Sequence, residues 1–404
     1  MNPEPSILVR FSEITLKGKN RFRFEARMAR NIGLHLKPHG AFQMSRSNAR
    51  MTVSGQGDLE LATSILKGLP GVANVSVTRP VDREPERLAE AAVAFMAELL
   101  QEAEPGQGRS LAFRVQAQRK DKRYALGSME LAAFLGARVL QRFPELHVDL
   151  TRPDLVLNVE IWPDCALLYA GKIEGPGGLP VGSSGTALCL NSAGIDSPVA
   201  AYLMMTRGIR VVHLYFHGAP FIGEQSKEKA HQMVRYLARY QPRTRLYVAP
   251  FGEIQQQIRD KCPERLRTLL FRRLMNRVAN VVARREHCQA LITGESVGQV
   301  ASQTLPNLQA IHAVAALPVL QPLIGLSKPE IVHRARQIGT YPISIQPFPD
   351  CCTLFLPRHP ETQASAALLD QAEQALPMED LVAGCVARLE RSDYGPEYYP
   401  ATWA

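Results

Sequence analysis

Between residues 186 and 293 short apolar runs alternate with amphipathic stretches, and this alternation constrains the fold more than any other feature of the chain. Runs 186–191, 210–216, 244–249 and 288–293 read as strands. Stretches 197–207, 225–240 and 262–285 read as helices. A strand, a crossover helix and a further strand make a βαβ unit. A series of such units builds an open, doubly wound parallel sheet.

The preceding part of the chain has a different texture. Residues 6–11, 41–54 and 72–77 are strand-like. Residues 21–37 form a basic amphipathic helix with Phe24, Met28, Ile32 and Leu36 spaced by four, and 58–68 form a second helix. Helices at 86–101 and 128–142 follow, with strands at 111–117, 155–161 and 165–170. The last two pair across a Pro163-Asp164 turn. Both patterns are α+β. A glycine- and proline-rich stretch, 171–185, reads as a linker. The expected division is therefore 1–75, 76–172 and 173–404.

Composition narrows the function. Hydrophobic residues make up 46% and charged residues 21% of 404, near the average for folded soluble domains. No apolar run approaches the roughly 20 residues of a membrane helix, and Met1-Asn2-Pro3-Glu4-Pro5 lacks a signal pattern. The seven cysteines are scattered apart from one adjacent pair, so they read as reduced and the chain as cytoplasmic, with no membrane partner. The net charge is +9, and the first 50 residues alone hold ten Lys/Arg against three Asp/Glu. A basic face attracts phosphates, which makes nucleic acid a candidate partner.

The segment Leu190-Asn191-Ser192-Ala193-Gly194-Ile195-Asp196-Ser197-Pro198 runs from a strand through small residues into a helix. Such a turn aims backbone N–H groups and a helix dipole at one point, which is an anion site. Ser197 is expected to cap the helix, with Pro198 at its first position. Ser192 and Ser197 supply hydroxyls, and Asp196 could orient the loop or help place a metal ion. Neither a Walker lysine motif nor a dinucleotide glycine fingerprint occurs. A second feature is Asp350-Cys351-Cys352-Thr353-Leu354-Phe355, set among Pro347, Pro349 and Pro357. Adjacent cysteines do not readily chelate one metal, and no dedicated metal site is expected. A loop thiol that ionises is a nucleophile or a sulfur carrier, whereas two small buried hydrophobes would read the same. Third, Arg119, Lys120, Lys122 and Arg123 place four charges in five residues beside Tyr124, which suits phosphate contact with stacking.

Ser192–Ser197 resembles the S-G-G-x-D-S loop of PP-loop ATP pyrophosphatases. Pro198-Val199-Ala200, the runs 177–182, 293–304 and 318–325, and the D-C-C-T-x-F pattern resemble the bacterial tRNA 4-thiouridine synthetases, or tRNA sulfurtransferases. The resemblance extends from about Arg10 to Pro360. It implies a ferredoxin-like domain over 1–75, a THUMP RNA-binding domain over 76–172 and a PP-loop domain over 173–404. It also implies adenylation of uridine-8 of tRNA by ATP with Mg²⁺, then sulfur transfer from a cysteine persulfide. Leu190, Asn191, Ser192, Gly194, Ser197, Tyr215, Phe216, Arg272, Gly294 and Gln303 match nucleotide positions. Cys352 matches the sulfur carrier, with Cys351 as its resolving partner, and Glu295 is a further metal or base candidate. Lys17, Lys19, Arg21 and Arg23 join the Arg119–Arg123 cluster as RNA contacts. The family further implies a cysteine desulfurase as donor and a homodimer, and the chain length leaves no room for a rhodanese domain. That weakens a role in thiamine thiazole synthesis.

Two departures stand out. The family's first loop glycine is Ala193, and Asn191 stands where an apolar residue is usual. A Cβ at a left-handed position costs about 1–2 kcal/mol and could meet a phosphate oxygen. They keep two alternatives open: a noncatalytic tRNA-binding paralogue, and a PP-loop enzyme thiolating another substrate.

Overall fold

The computed structural model describes residues 4–47, 50–103, 110–349, 351 and 354–395. They form two compact units: residues 4–16, 39–68 and 72–177 in the first, and 17–38, 69–71 and 178–395 in the second.

The first unit is built on a nine-stranded sheet. Its strands are β1 (Ser6–Phe11), β2 (Phe42–Ser47), β3 (Arg50–Gly55), β4 (Val72–Val81), β5 (Ala112–Arg119), β6 (His147–Val148), β7 (Leu155–Ile161), β8 (Ala166–Tyr169) and β9 (Ile173–Glu174), in the order β2-β3-β1-β4-β8-β7-β5-β6 with β9 beside β4. The second unit opens with α1 (Arg21–Leu36), and the first holds α2 (Leu59–Lys67), α3 (Pro85–Glu102) and α4 (Ser128–Arg142). Leu131, Leu135 and Val139, spaced by four along α4, pack with Leu88, Ala92 and Met96 of α3 over Phe113, Leu157 and Val159. β7 and β8 form the hairpin around Pro163-Asp164, with Asn158 opposite Tyr169. Within this sheet Glu160 is buried between Arg10 at 3.0 Å and Arg50 at 2.8 Å, and Tyr169 Oη donates to it at 3.1 Å. Burial alone would push the Glu160 carboxyl up, but the two guanidinium groups hold it below the usual range.

The second unit carries the doubly wound sheet. Its strands are β10 (Thr186–Leu190), β11 (Arg210–His217), β12 (Thr244–Pro250), β13 (Ala290–Ile292), β14 (Val319–Leu320) and β15 (Glu390–Tyr394). The order is β14-β13-β10-β11-β12-β15, parallel except for the antiparallel β15. Helices α5 (Asp196–Thr206) and α6 (Glu224–Leu237) lie on one face with Val199, Met205, Met233 and Leu237 buried. Helices α7 (Gly252–Lys261), α8 (Arg267–Arg285) and α9 (Leu305–His312) lie on the other. α8 buries Leu270, Phe271, Leu274, Val278 and Val282, a stripe at helical spacing, and each large apolar side chain so buried contributes about 1.5–3 kcal/mol. The chain continues through α10 (Lys328–Gln337), α11 (Tyr341–Ser344), α12 (Ala366–Glu373) and α13 (Met378–Ala387). Among the described residues no helix is long and apolar enough to cross a membrane.

From β10 the chain runs to β11 and β12 on one side, while β13 and β14 lie on the other. The strand order thus reverses between β10 and β13. The carboxyl ends at such a reversal open a crevice, which is where open α/β sheets bind ligands.

Candidate active site

A cavity of about 220 Å³ occupies that crevice. Leu190, Asn191 and Ser192 reach it from the end of β10, Phe216 from β11, and Thr293, Gly294 and Glu295 from β13. Arg272, Met275 and Asn276 line it from α8, and Ile311 and His312 from α9. Ser197, Asp196, Gln303 and Cys351 complete the part that bears on chemistry. Of the expected nucleotide residues, Gly194 and Tyr215 do not line the cavity. Successive strand residues face opposite ways, so Phe216 faces the α8 side while Tyr215 is buried against the α5 and α6 side.

The loop after β10 is held by its own side chains. Asn191 Oδ1 accepts from Ala193 N at 2.9 Å and from Ser197 Oγ at 3.0 Å. Ser192 N donates to Ser197 Oγ at 2.9 Å, and Gly194 N to Ser192 Oγ at 3.3 Å. Ser197 is therefore not the helix cap that its position suggests. α5 begins at Asp196, and its N-cap residue Ile195 makes no side-chain cap. Asn191 closes the loop in the manner of an Asx turn.

Ala193 has a φ of 55°, so the left-handed strain is present. Its methyl is buried among Val199, Val211 and Tyr215 and is not part of the cavity wall. The side chain lies in the core, so the methyl does not stand where the cavity would receive a phosphate oxygen. Relief of about 1–2 kcal/mol of strain in Ala193→Gly is offset by the loss of about 0.8 kcal/mol of methyl burial and by the chain entropy of glycine. Calorimetric titration should give an ATP Kd within about threefold of wild type. A much tighter Kd for the glycine variant would mean that the alanine obstructs the site.

Gly294 has the opposite constraint. A Cβ there would lie 2.8 Å from Ser197 N and 2.9 Å from the Asp196 carbonyl carbon, so the end of β13 approaches the start of α5 at a distance only glycine permits.

Arg272 and Arg273 are adjacent on α8 but do different things. Arg273 is fully buried, bonding Glu373 at 2.8 Å and pairing with Asp370, and is structural. Arg272 lines the cavity, donating to Ser302 Oγ at 3.2 Å and pairing with Glu295. Glu295 also accepts from Thr293 Oγ1 at 2.7 Å, His312 Nε2 at 2.8 Å and Gln321 Nε2 at 2.5 Å. Asn276 Nδ2 donates to His312 Nδ1 at 3.3 Å, which leaves Nε2 carrying the hydrogen given to Glu295. Burial by itself would raise the Glu295 carboxyl; the Arg272 charge and the His312 and Gln321 bonds outweigh it and hold it at about 2. So acidic and so saturated a carboxylate is no general base. It orients Arg272. His312 carries no sequence motif, and only the packing of α9 reveals it; Gln321 lies just after β14 within the run 318–325, whose residues do not by themselves show that it bonds Glu295.

Asp196 sits at the cavity rim, bonded by Lys328 Nζ at 2.6 Å and Gln299 Nε2 at 2.9 Å. Among the described residues no group of three or more His, Cys, Asp or Glu could hold a metal ion. Among the described residues, three buried polar atoms of cavity-lining side chains have no protein partner: Asn191 Nδ2, a donor, and Asn276 Oδ1 and Gln303 Oε1, both acceptors. Buried polar atoms are almost always satisfied, so such a set fits a ligand that both accepts and donates. Leu190, Phe216, Met275 and Ile311 add an apolar wall, and Arg272 supplies a cation. That set suits a nucleoside triphosphate.

Cys351 is buried and lines the same cavity, and its carbonyl accepts from Gln255 Nε2 at 2.8 Å. Cys352 lies outside the described residues. Cys189, Cys288 and Cys385 are buried, which pushes their thiols up to about 12 and makes them inert. Burial also raises the Cys165 and Cys262 thiols.

The basic residues divide between the two units. In the second, Arg23 lines a cleft with Asn20, Arg27 and Ser183. Lys17 precedes a short turn that contains Lys19, and Arg21 begins α1, where it pairs with Glu25 at 3.2 Å. In the first unit Arg119 ends β5 and donates to Tyr124 O at 3.3 Å, and Lys120 Nζ donates to Gln118 Oε1 at 2.9 Å. Lys122 is exposed, and Arg123 pairs with Asp121 at 3.0 Å. Tyr124 is buried, with its hydroxyl donating to Arg83 O at 2.7 Å, so it cannot stack on a base.

Comparison with known proteins agrees with this arrangement. Residues 182–378 match the family described as thiamine biosynthesis protein (ThiI), 6–76 the ThiI ferredoxin-like domain and 83–170 the THUMP domain. A probable tRNA sulfurtransferase of Moorella thermoacetica is 43% identical over 392 residues, covering 97% of this chain and 98% of the relative. One from Caldanaerobacter subterraneus subsp. tengcongensis is 40% identical, covering 93% and 96%. A solved 4-thiouridine synthetase–RNA complex with bound ATP superposes with a TM-score of 0.87 at 35% identity, covering 97% of this chain and all of that one.

Proposed function

This chain belongs to the ThiI family, and from that premise we propose its reaction. The protein is an ATP-dependent tRNA sulfurtransferase that converts uridine-8 to 4-thiouridine. The observation that carries this reading is one cavity lined at once by the loop after β10, the Arg272 cation and Cys351.

In the first half-reaction uridine O4 attacks the α-phosphate of ATP and pyrophosphate leaves. Arg272, held by Glu295, and the uncapped start of α5 face the charge that develops on the phosphates. Asn191 Nδ2 and Gln303 Oε1 are satisfied by the nucleotide, and Leu190 and Phe216 flank its base. Gly194 acts through the shape of the loop. Mg²⁺ bound with the phosphates would neutralise their charge, and Asp196 at the cavity is the residue that would help hold it.

In the second half-reaction the terminal sulfur of a Cys352 persulfide attacks C4 and AMP leaves. A disulfide then joins Cys352 to the nucleoside sulfur. The Cys351 thiolate attacks Cys352 Sγ, freeing 4-thiouridine and leaving Cys351 and Cys352 oxidised. A thiol reductant reopens that bond. A cysteine desulfurase loads the persulfide, and the enzyme acts in the cytoplasm as a homodimer. The chain divides into three domains at about 75 and 172. The core position of the Ala193 methyl removes the steric ground for a noncatalytic paralogue.

Lys17, Lys19, Arg21, Arg23 and the Arg119–Arg123 cluster hold tRNA through phosphates. Reversing Lys122 and Arg123 to glutamate should lower the slope of log affinity against log salt by about 1.5–2. An unchanged slope in filter binding would place this patch away from RNA. The reaction itself is tested with purified protein, ATP, unmodified tRNA and a loaded desulfurase. One AMP and one pyrophosphate per 4-thiouridine are expected; formation of ADP would overturn the scheme.

A further inference from the structure

Three side chains on one face of α6 hold the segment that leads into the cysteine pair. Ser226, Lys229 and Gln232 are spaced by three and so share a face. Lys229 is 7% exposed, and its ammonium donates to Ser344 O at 2.8 Å and Gln346 O at 3.1 Å. Ser226 Oγ donates to Pro349 O at 2.8 Å, and Gln346 Nε2 to Gln232 Oε1 at 3.2 Å. Pro347 and Pro349 have no N–H, so carbonyl oxygens are what such a segment offers to a donor. Its near end also touches the nucleotide loop, where Ser344 Oγ donates to Gly194 O at 3.1 Å. Its far end is fixed by Gln255 on Cys351 O. A buried ammonium is a costly way to hold two carbonyls unless their position matters.

Resting on the sulfurtransferase reading, we propose that Lys229 is a positioning residue for the sulfur step. It sets where the cysteine loop stands relative to the nucleotide loop, and it takes no part in adenylation. Ser226 assists it from one turn earlier on α6.

The test separates the two half-reactions in the full-length protein. Lys229→Met should bind ATP and release pyrophosphate in a tRNA-dependent reaction within about threefold of wild type. Its persulfide-dependent thiolation should fall by about 100-fold, the order expected of an ångström-scale misplacement. Soluble hydrosulfide, which attacks the adenylated uridine from solution, should restore 4-thiouridine in the variant. Lys229→Arg should keep most of the activity. Ser226→Ala, a milder change that decides the matter if the methionine variant does not fold, should lose thiolation by about tenfold with pyrophosphate release intact. Parallel loss of pyrophosphate release and thiolation, failure of hydrosulfide to restore product, or unchanged thiolation would overturn the proposal. Wild-type protein that releases no pyrophosphate would instead overturn the functional reading beneath it.

Discussion

A Cys352→Ser variant is expected to release pyrophosphate from ATP in the presence of tRNA and to form no 4-thiouridine. Among the described residues Cys351 is the only thiol that lines the cavity. The two cysteines are separated by what each variant accumulates. With Cys352 as carrier and Cys351 as resolver, Cys351→Ser should stall as a disulfide between enzyme and tRNA. A gel shift that thiol reductant reverses would show it. The adduct appearing with Cys352→Ser, and not with Cys351→Ser, would exchange the two roles. Loss of pyrophosphate release in either variant would place the thiols in adenylation and contradict the division of labour.

Glu295→Ala should have the next largest effect. The Glu295 side chain is 2% exposed and Arg272 18%, and removing one partner of a buried ion pair costs about 3–5 kcal/mol. The lower end applies, since Arg272 retains some water. His312, Gln321 and Thr293 lose their shared acceptor as well. Thermal unfolding should show a clear fall in Tm, and ATP affinity should fall with it because Arg272 is no longer aimed. Glu295→Gln keeps the shape and should separate aim from charge: it should recover more stability than ATP affinity. The carboxyl sits at about 2 in the folded protein, below the roughly 4.3 of an unfolded chain. Its stabilisation is therefore complete above the unfolded value and is lost as pH falls through about 2. Between pH 5 and 9 this residue contributes no pH dependence, so a titration of ATP binding near neutrality would have another source.

Much of the architecture follows from periodicity alone. The spacing of Leu131, Leu135 and Val139 places a helix at 128–142, the residues that form α4. The apolar runs after residue 186 give the parallel strands and their order of appearance. One helix starts later than its pattern predicts. Residues 262–285 read as a single helix, yet Pro263 gives way to a short turn at Glu264–Leu266 and α8 begins at Arg267. α7, just before it, is polar, with Ile254 and Ile258 as its apolar pair, and leaves too weak a pattern to be read.

The site divides in the same way. The loop after β10 and the cysteine pair are legible because they are contiguous. Arg272 and Arg273 are not separable in sequence, since neighbouring helix positions point about 100° apart and only packing decides which meets a cavity. Glu295 reads as a base candidate in sequence, and only the fold supplies the four donors that occupy it. Tyr124 reads as a stacking surface, and only the fold buries its ring. Asn191 and Ala193 read as two separate departures, but the hydrogen bond from Ala193 N to Asn191 Oδ1 makes them parts of one turn.

The central claim is that this chain makes 4-thiouridine in tRNA. Mass spectrometry of nucleosides from total tRNA, prepared from cells with and without the gene, tests it most directly. The account predicts that 4-thiouridine disappears without the gene and returns with the wild-type gene, but not with Cys352→Ser. Unchanged 4-thiouridine in cells lacking the gene would contradict it.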